Sequence, residues 1–409
     1  MEYKVGVLFP GQGSQYLEMC KSLYDRCETV RKTFLEASEI LDVDFVKLFV
    51  KEKSRLITKS DLVQPAVVTA SIACYRTFLE KYHKLPSLGA GHSLGEYSAL
   101  TASGCLTFED TLRIVKKRGE FMHAYTETLR ERPQGMIAVS GVSTEIIQEE
   151  CDKEHSNYVF VANYNSPKQA VLSGELKAME PIVTRLEKMG AVVVKLNLNG
   201  AFHSPFMKGV GQEMIQEIKR TQFHEFLFPV ISNVTAKPHT LDKIQETLIT
   251  QISGSVQWIN TIHYIEDQGI NCYIDMGPGT ILKKLNGRFS DEIQKKTFSF
   301  EEDEKLLEVY LGQREDEKSL LDIIKTCYVT IVCTKNCKCY KKEEYEEKVI
   351  KPSQKIKETY LALKNNEITL TEDEVRAFIM LTNTVLIAKG IPEEERSMRF
   401  NTIMAKEKR

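Results

Sequence analysis
Net charge is what this chain most conspicuously lacks: 55 Lys and Arg face 57 Asp and Glu, leaving −2. So even a balance supplies no long-range field for a polyanion, and neither nucleic acid nor a membrane surface is expected as a partner. No unbroken apolar run approaches the length that spans a bilayer. Met1-Glu2-Tyr3-Lys4-Val5 passes straight into a strand-like pattern without the charged-then-apolar layout of a secretion signal, so a cytoplasmic location is expected. In that compartment the ten cysteines are expected as thiols rather than as a disulfide framework. Internal repeats and low-complexity segments are missing as well. Glycine runs out late in the chain: of 22, only Gly312 and Gly390 lie beyond residue 300, where Lys and Glu follow a helical period instead. This shift marks a boundary near 295 to 315, with a body over 1–300 and a helical extension over 301–409.

What is present before the boundary is an alternation of short apolar runs and amphipathic stretches, as in residues 4–9 followed by 17–37. That layout predicts an α/β fold, a parallel sheet covered by helices. A length of 409 residues is ample for a full hydrophobic core. Residues 127–198 change the rhythm to strand (135–142), helix (145–154), strand (158–164), strand (169–174), helix (179–188) and strand (191–198). This βαββαβ order predicts a small ferredoxin-like subdomain inserted in the body.

Gly91-His92-Ser93-Leu94-Gly95 is a G-x-S-x-G run between a short apolar segment (85–90) and a helix candidate (96–102). On a strand-turn-helix bend such a run exposes its serine as a nucleophile. Phe9-Pro10-Gly11-Gln12-Gly13-Ser14-Gln15 is a second Gly-rich turn between a strand and a helix. It lacks both the Lys-Ser/Thr ending of a P-loop and the third glycine of the dinucleotide fingerprint, so an oxyanion role for the Gln12 amide fits it better than phosphate binding. A serine needs a base, and among eight histidines His203, in Gly200-Ala201-Phe202-His203-Ser204, has the most distinctive setting. His92 is a poorer base, because neighbouring side chains on a tight bend diverge. The acidic residues are too numerous to single out a third member, and a backbone carbonyl can orient an imidazole in its place. Arg118 lies on a predicted helix opened by Thr107-Phe108-Glu109-Asp110, where its guanidinium could grip a carboxylate with two hydrogen bonds.

These pieces occur in one order with Gln64-Pro65-Ala66, Asn163-Tyr164-Asn165-Ser166-Pro167 and Gly277-Pro278-Gly279, and over residues 3–290 the chain resembles the malonyl-CoA:acyl carrier protein transacylases. Within them it looks most like the discrete enzymes that serve polyketide synthases in trans. The resemblance implies an α/β-hydrolase-like large subdomain and a ping-pong acyl transfer. Ser93 would be the nucleophile, His203 the base, and the amides of Gln12 and Leu94 the oxyanion hole. The carbonyl of Gln251 would orient the histidine. Arg118 would bind the malonyl carboxylate, with Gln64, Phe202 and His92 beside it in the substrate pocket. Phe202 would crowd an α-methyl group, making methylmalonyl poor rather than excluded, since a steric pocket discriminates one methyl by only about 1–3 kcal/mol. No bound cofactor or metal is implied. Malonyl-CoA is the substrate, and the phosphopantetheine belongs to the partner, an acyl carrier protein or a synthase carrier domain. A proofreading thioesterase of the same fold would lack the arginine, and a lipase would need an acid between serine and histidine. A role in fatty acid synthesis also fits the resemblance, whereas the intact set of Ser93, His203 and Arg118 argues against a non-catalytic docking protein.

The resemblance ends before the tail. Thr371-Glu372-Asp373-Glu374 is a capping box for a helix that Gly390 and Pro392 stop, residues 320–332 form another, and the charged stretch 340–364 is interrupted at Pro352. The tail is read either as a docking module or as a helical extension packed on the body. Cys333, Cys337 and Cys339, with Cys327 nearby, crowd together, but only one pair has zinc-knuckle spacing, so no metal is expected.

Overall fold
The computed structural model describes residues 4–16, 18–47, 60–128, 131–153, 157–198, 200–311, 320–338 and 340–407. Its strands are β1 (Val5–Phe9), β2 (Leu88–Gly91), β3 (Gln134–Ser140), β4 (Val159–Ser166), β5 (Gln169–Glu175), β6 (Val192–Lys195), β7 (Val230–Ile231), β8 (Cys272–Asp275) and β9 (Thr297–Ser299). A parallel sheet runs β7-β2-β1-β8-β9. Every residue of β1, β2, β7 and β8 is buried, as expected when helices cover both faces of a parallel sheet. Alternation divides the apolar side chains. Val5, Val7 and Phe9 pack against the helix Ser60–Tyr82, while Leu8, Ala90 and Tyr273 pack with Trp258, Ile262 and Ile265 on the other side. Phe9 pairs with Gly91, so the loops that leave β1 and β2 emerge side by side at one edge of the sheet.

The stretch Asp61–Tyr82 belongs to the long helix Ser60–Tyr82. By length and composition it could cross a membrane, but 94% of its apolar window is buried inside the protein. It is the central core helix, and its apolar character is spent on the sheet and its neighbours.

The smaller sheet is antiparallel in the order β4-β5-β3-β6, the ferredoxin-like arrangement that the βαββαβ rhythm predicts. Helices Thr144–Lys153 and Leu176–Lys188 cover one face through Ile147, Ile182 and Leu186. Its β4 is tied to the body where Val256 N–H donates to Ala162 O at 2.8 Å and Tyr164 N–H donates to Val256 O at 3.0 Å.

Beyond residue 311 the described chain is helical: Leu320–Val332, Lys342–Tyr345, Glu346–Ile350, Lys351–Lys364, Glu372–Ala388 and Glu393–Glu407. The capping box forms, with both reciprocal bonds between Thr371 and Glu374. Pro352 does not interrupt its stretch. It falls in the first turn of Lys351–Lys364, where a missing N–H costs least, and the π segment Glu346–Ile350 widens the helix just before it. These helices lie on the body, where Ile324, Cys327 and Ile331 share one apolar cluster with Phe34, Ile72 and Tyr75. Lys357 is fully buried and donates to Gly104 O at 3.0 Å and to Glu225 O. Cys333 is buried, with Sγ 3.2 Å from Arg76 O, Cys327 is also buried, and Cys337 is exposed. Cys339 lies outside the described residues, among which no cluster of His, Cys, Asp or Glu is arranged to hold a metal.

Candidate active site
Three backbone segments meet around Ser93 with no room for side chains between them. A Cβ on Gly91 would sit 1.9 Å from the carbonyl carbon of Gly95, and one on Gly95 would sit 1.9 Å from Phe9 O. Both motif glycines are therefore steric necessities. A Cβ on Gly11 would come within 2.5 Å of His92 O, so the Gln12 loop presses against the bend. Ser93 itself has φ 52°, a left-handed conformation unusual for a residue with a Cβ, and the helix Gly95–Ala102 begins directly behind it. This is the strained turn that G-x-S-x-G requires, with Leu94 buried at the helix N-terminus.

His203 follows β6 on a loop, also in a left-handed conformation, with φ 57°. Its Nε2 lies 2.6 Å from Ser93 Oγ. On the other side of the ring, Nδ1 is 3.0 Å from Gln251 O and 3.1 Å from Gly254 O. Carbonyl oxygens only accept, so Nδ1 must carry the hydrogen and the Nε2 lone pair faces the serine hydroxyl. Burial, then the charges of Arg118 and His92, push the imidazole pKa down to about 3, against the opposing pull of the two carbonyls. The ring is therefore neutral at any physiological pH, the form a general base needs.

Arg118 projects from the helix Phe108–Thr128 and is 2% exposed. Its Nη1 donates to Gln64 Oε1 at 2.9 Å and the guanidinium lies 5.9 Å over the Tyr97 ring, while its Nε has no hydrogen-bond partner. Among the described residues no carboxylate lies within ion-pairing distance of it. Gln64 extends the chain of contacts through Nε2, which lies 3.4 Å from Gln12 Oε1 and 3.5 Å from Met122 Sδ. Phe202 is buried, and its carbonyl accepts from Ser173 Oγ on β5 at 2.7 Å. His92 turns to a different partner: Nε2 contacts Asn165 Oδ1 at 2.8 Å and the ring meets Trp258 edge-on.

The roles of five residues escape a reading of the sequence. Gly254 adds a second carbonyl to the histidine, and Asn165 holds His92. Glu96, Asn233 and His239 form a buried polar cluster under the bend. Glu96 is within sight, one residue past the motif, but nothing in a single sequence relates it to loops more than a hundred residues away.

With this geometry stands a family match: the acyl transferase domain model covers residues 7–301. The chain belongs to the acyl transferase domain family. Its acyl transferase part is 36% identical over 293 residues to the malonyl CoA-acyl carrier protein transacylase of Bacillus subtilis (strain 168), spanning 70% of this chain and 91% of that one. The polyketide biosynthesis malonyl CoA-acyl carrier protein transacylase PksC of the same organism is 34% identical over 289 residues, spanning 70% and 97%. Among solved structures, a malonyl-transacylase in complex with its type II polyketide synthase acyl-carrier protein superposes with a TM-score of 0.67 at 32% identity, covering 72% of this chain and 94% of that one. The family match stops at residue 301.

Proposed function
We propose that this acyl transferase moves a malonyl group from malonyl-CoA to the phosphopantetheine thiol of an acyl carrier protein through an acyl-Ser93 intermediate. We further assign it to polyketide synthase carrier domains, served in trans from the cytoplasm. The acyl transferase body spans 1–300, and 301–409 is an extension outside the chemistry. His203 Nε2 takes the Ser93 proton as Oγ attacks the thioester carbonyl, and the resulting oxyanion is held by the amides of Gln12 and Leu94. Collapse expels the CoA thiolate, which recovers the proton from the imidazolium. The second half runs in reverse, with the carrier thiol attacking acyl-Ser93. The carbonyls of Gln251 and Gly254 keep the ring in its working tautomer throughout. CoA and phosphopantetheine arrive with substrate and partner, so no resident cofactor is required.

The observation that carries this reading is Arg118, a buried guanidinium beside the Ser93–His203 pair with no carboxylate partner among the described residues. A buried cation calls for an anion, and the free carboxylate of a malonyl group supplies one. Pairing would also quiet the positive charge that depresses His203, so the base gains strength once the correct substrate is seated. Gln64 and His92 complete the pocket wall, and Phe202 crowds an α-methyl. Hydrolysis is less favoured, because Arg118 is retained and the relatives are transacylases.

Incubation with isotopically labelled malonyl-, methylmalonyl- and acetyl-CoA, followed by mass analysis of the Ser93 peptide, tests the proposal. The malonyl label should dominate on Ser93 and pass to a phosphopantetheine-bearing carrier. A label from acetyl alone, or none on Ser93, would overturn it.

A further inference from the structure
Glu96 sits in the first turn of the helix behind the bend and is fully buried. A carboxylate so placed is costly unless donors inside the protein satisfy it. Three converge on it. Asn233 N–H donates to Oε1 at 3.0 Å, Gln251 Nε2 donates to Oε2 at 2.9 Å, and His239 Nε2 lies 2.6 Å from Oε1. His239 Nδ1 is buried without a hydrogen-bond partner, so the neutral ring with its hydrogen on Nε2 leaves no donor orphaned. Glu96 is thus held by three N–H groups from distant parts of the chain.

Two of those donors hold the reacting pair. The Asn233 side chain accepts from Ser93 N–H at 2.6 Å and donates to Gly91 O at 2.5 Å, gripping both sides of the bend. Gln251 Nε2 also donates to Ser93 O at 2.7 Å, while the carbonyl of the same residue holds His203 Nδ1. We infer that Glu96 is the positioning residue of the acyl relay, mounting serine and histidine on one buried carboxylate through Asn233 and Gln251. It also places net negative charge behind Gln251. The carbonyls on His203 are dipoles without net charge, so they lack what a triad acid contributes when the imidazolium forms, and Glu96 supplies it from one residue further away. The inference rests on the Ser93–His203 relay proposed above.

Single-turnover acylation of Ser93 by malonyl-CoA is the test. Glu96→Gln keeps the shape, removes the charge and turns an NH₂ toward a donor. Its acylation rate should fall about 10- to 100-fold while KM for malonyl-CoA is unchanged, because displacement of a reacting group by an ångström costs on that order. Glu96→Asp, which restores the charge on a shorter arm, should recover part of the loss. Gln251→Met keeps the main-chain carbonyl but deletes both Nε2 bonds, and should show the same rate loss if Glu96→Gln proves unstable. A full acylation rate in Glu96→Gln, or in Gln251→Met, would overturn the inference. So would a loss confined to KM. Ser93→Ala run in parallel separates the two claims: if it still acquires label at residue 93's peptide, the relay itself is wrong, whereas if it is inert and Glu96→Gln is unimpaired, only the role of Glu96 fails.

Discussion
The bend around Ser93 and the helical extension are held by opposite means. At the bend, main chain touches main chain: Gly91, Gly95 and Gly11 leave no space for a Cβ, and the histidine is oriented by carbonyls. In the extension, long side chains reach across to the body. Lys357 grips Gly104 O, Lys335 pairs with Glu39 at 2.6 Å, and Glu395 pairs with Lys32 at 2.6 Å. The difference teaches where each region is vulnerable. Chemistry depends on backbone geometry that a single atom can spoil, whereas attachment of the extension is spread over replaceable contacts.

The sharpest way to test that contrast is to remove the base. His203→Ala should lower carrier loading by about 10² to 10⁴, and loading close to that of the unaltered enzyme would show that the relay does not run through this ring. Next in size is Arg118→Ala. Losing a charged hydrogen-bonding partner is worth about 1.5–3 kcal/mol, so the preference for malonyl over acetyl should drop about 10- to 100-fold in competition assays. The same change should move the pH profile. A general base works when deprotonated, and burial and the Arg118 charge together hold His203 near 3, so the acid limb of kcat/KM in the unaltered enzyme lies far below the ordinary 6.5. Removing the charge lifts that limb toward 6.5. An unshifted limb would mean the guanidinium does not act on the ring.

In the extension the expected effects concern stability alone. Lys357→Met strands Gly104 O and Glu225 O, costing about 1–3 kcal/mol in denaturant unfolding, while Ser93 acylation stays unchanged at room temperature. A parallel loss of acylation would erase the distinction, because Gly104 closely follows the helix behind the nucleophile. Smallest is Thr371→Ala, which deletes the acceptor for Glu374 N–H and should cost about 1 kcal/mol.

Much of the fold is legible in the order of its residues. The apolar runs become β1 and β2, the βαββαβ rhythm of residues 127–198 becomes the antiparallel sheet, and Thr371 and Glu374 form their reciprocal cap. These are short-range signals, carried by residues within a few positions of one another. One local reading misses: Pro352 is absorbed where a break is expected, because it falls in the first turn of a helix, where its missing N–H costs least.

For the site, the motif by itself determines the nucleophile's turn, since only glycine survives where Gly91 meets the backbone of Gly95 four residues on. Tertiary structure alone decides what surrounds it. It sets His203 2.6 Å from a serine 110 residues earlier, leaves Arg118 buried without a carboxylate among the described residues, and gathers Asn233, His239 and Gln251 onto Glu96. Local sterics are written in neighbouring residues, but burial and the meeting of distant loops exist only once the sheet has brought its strand ends to one edge.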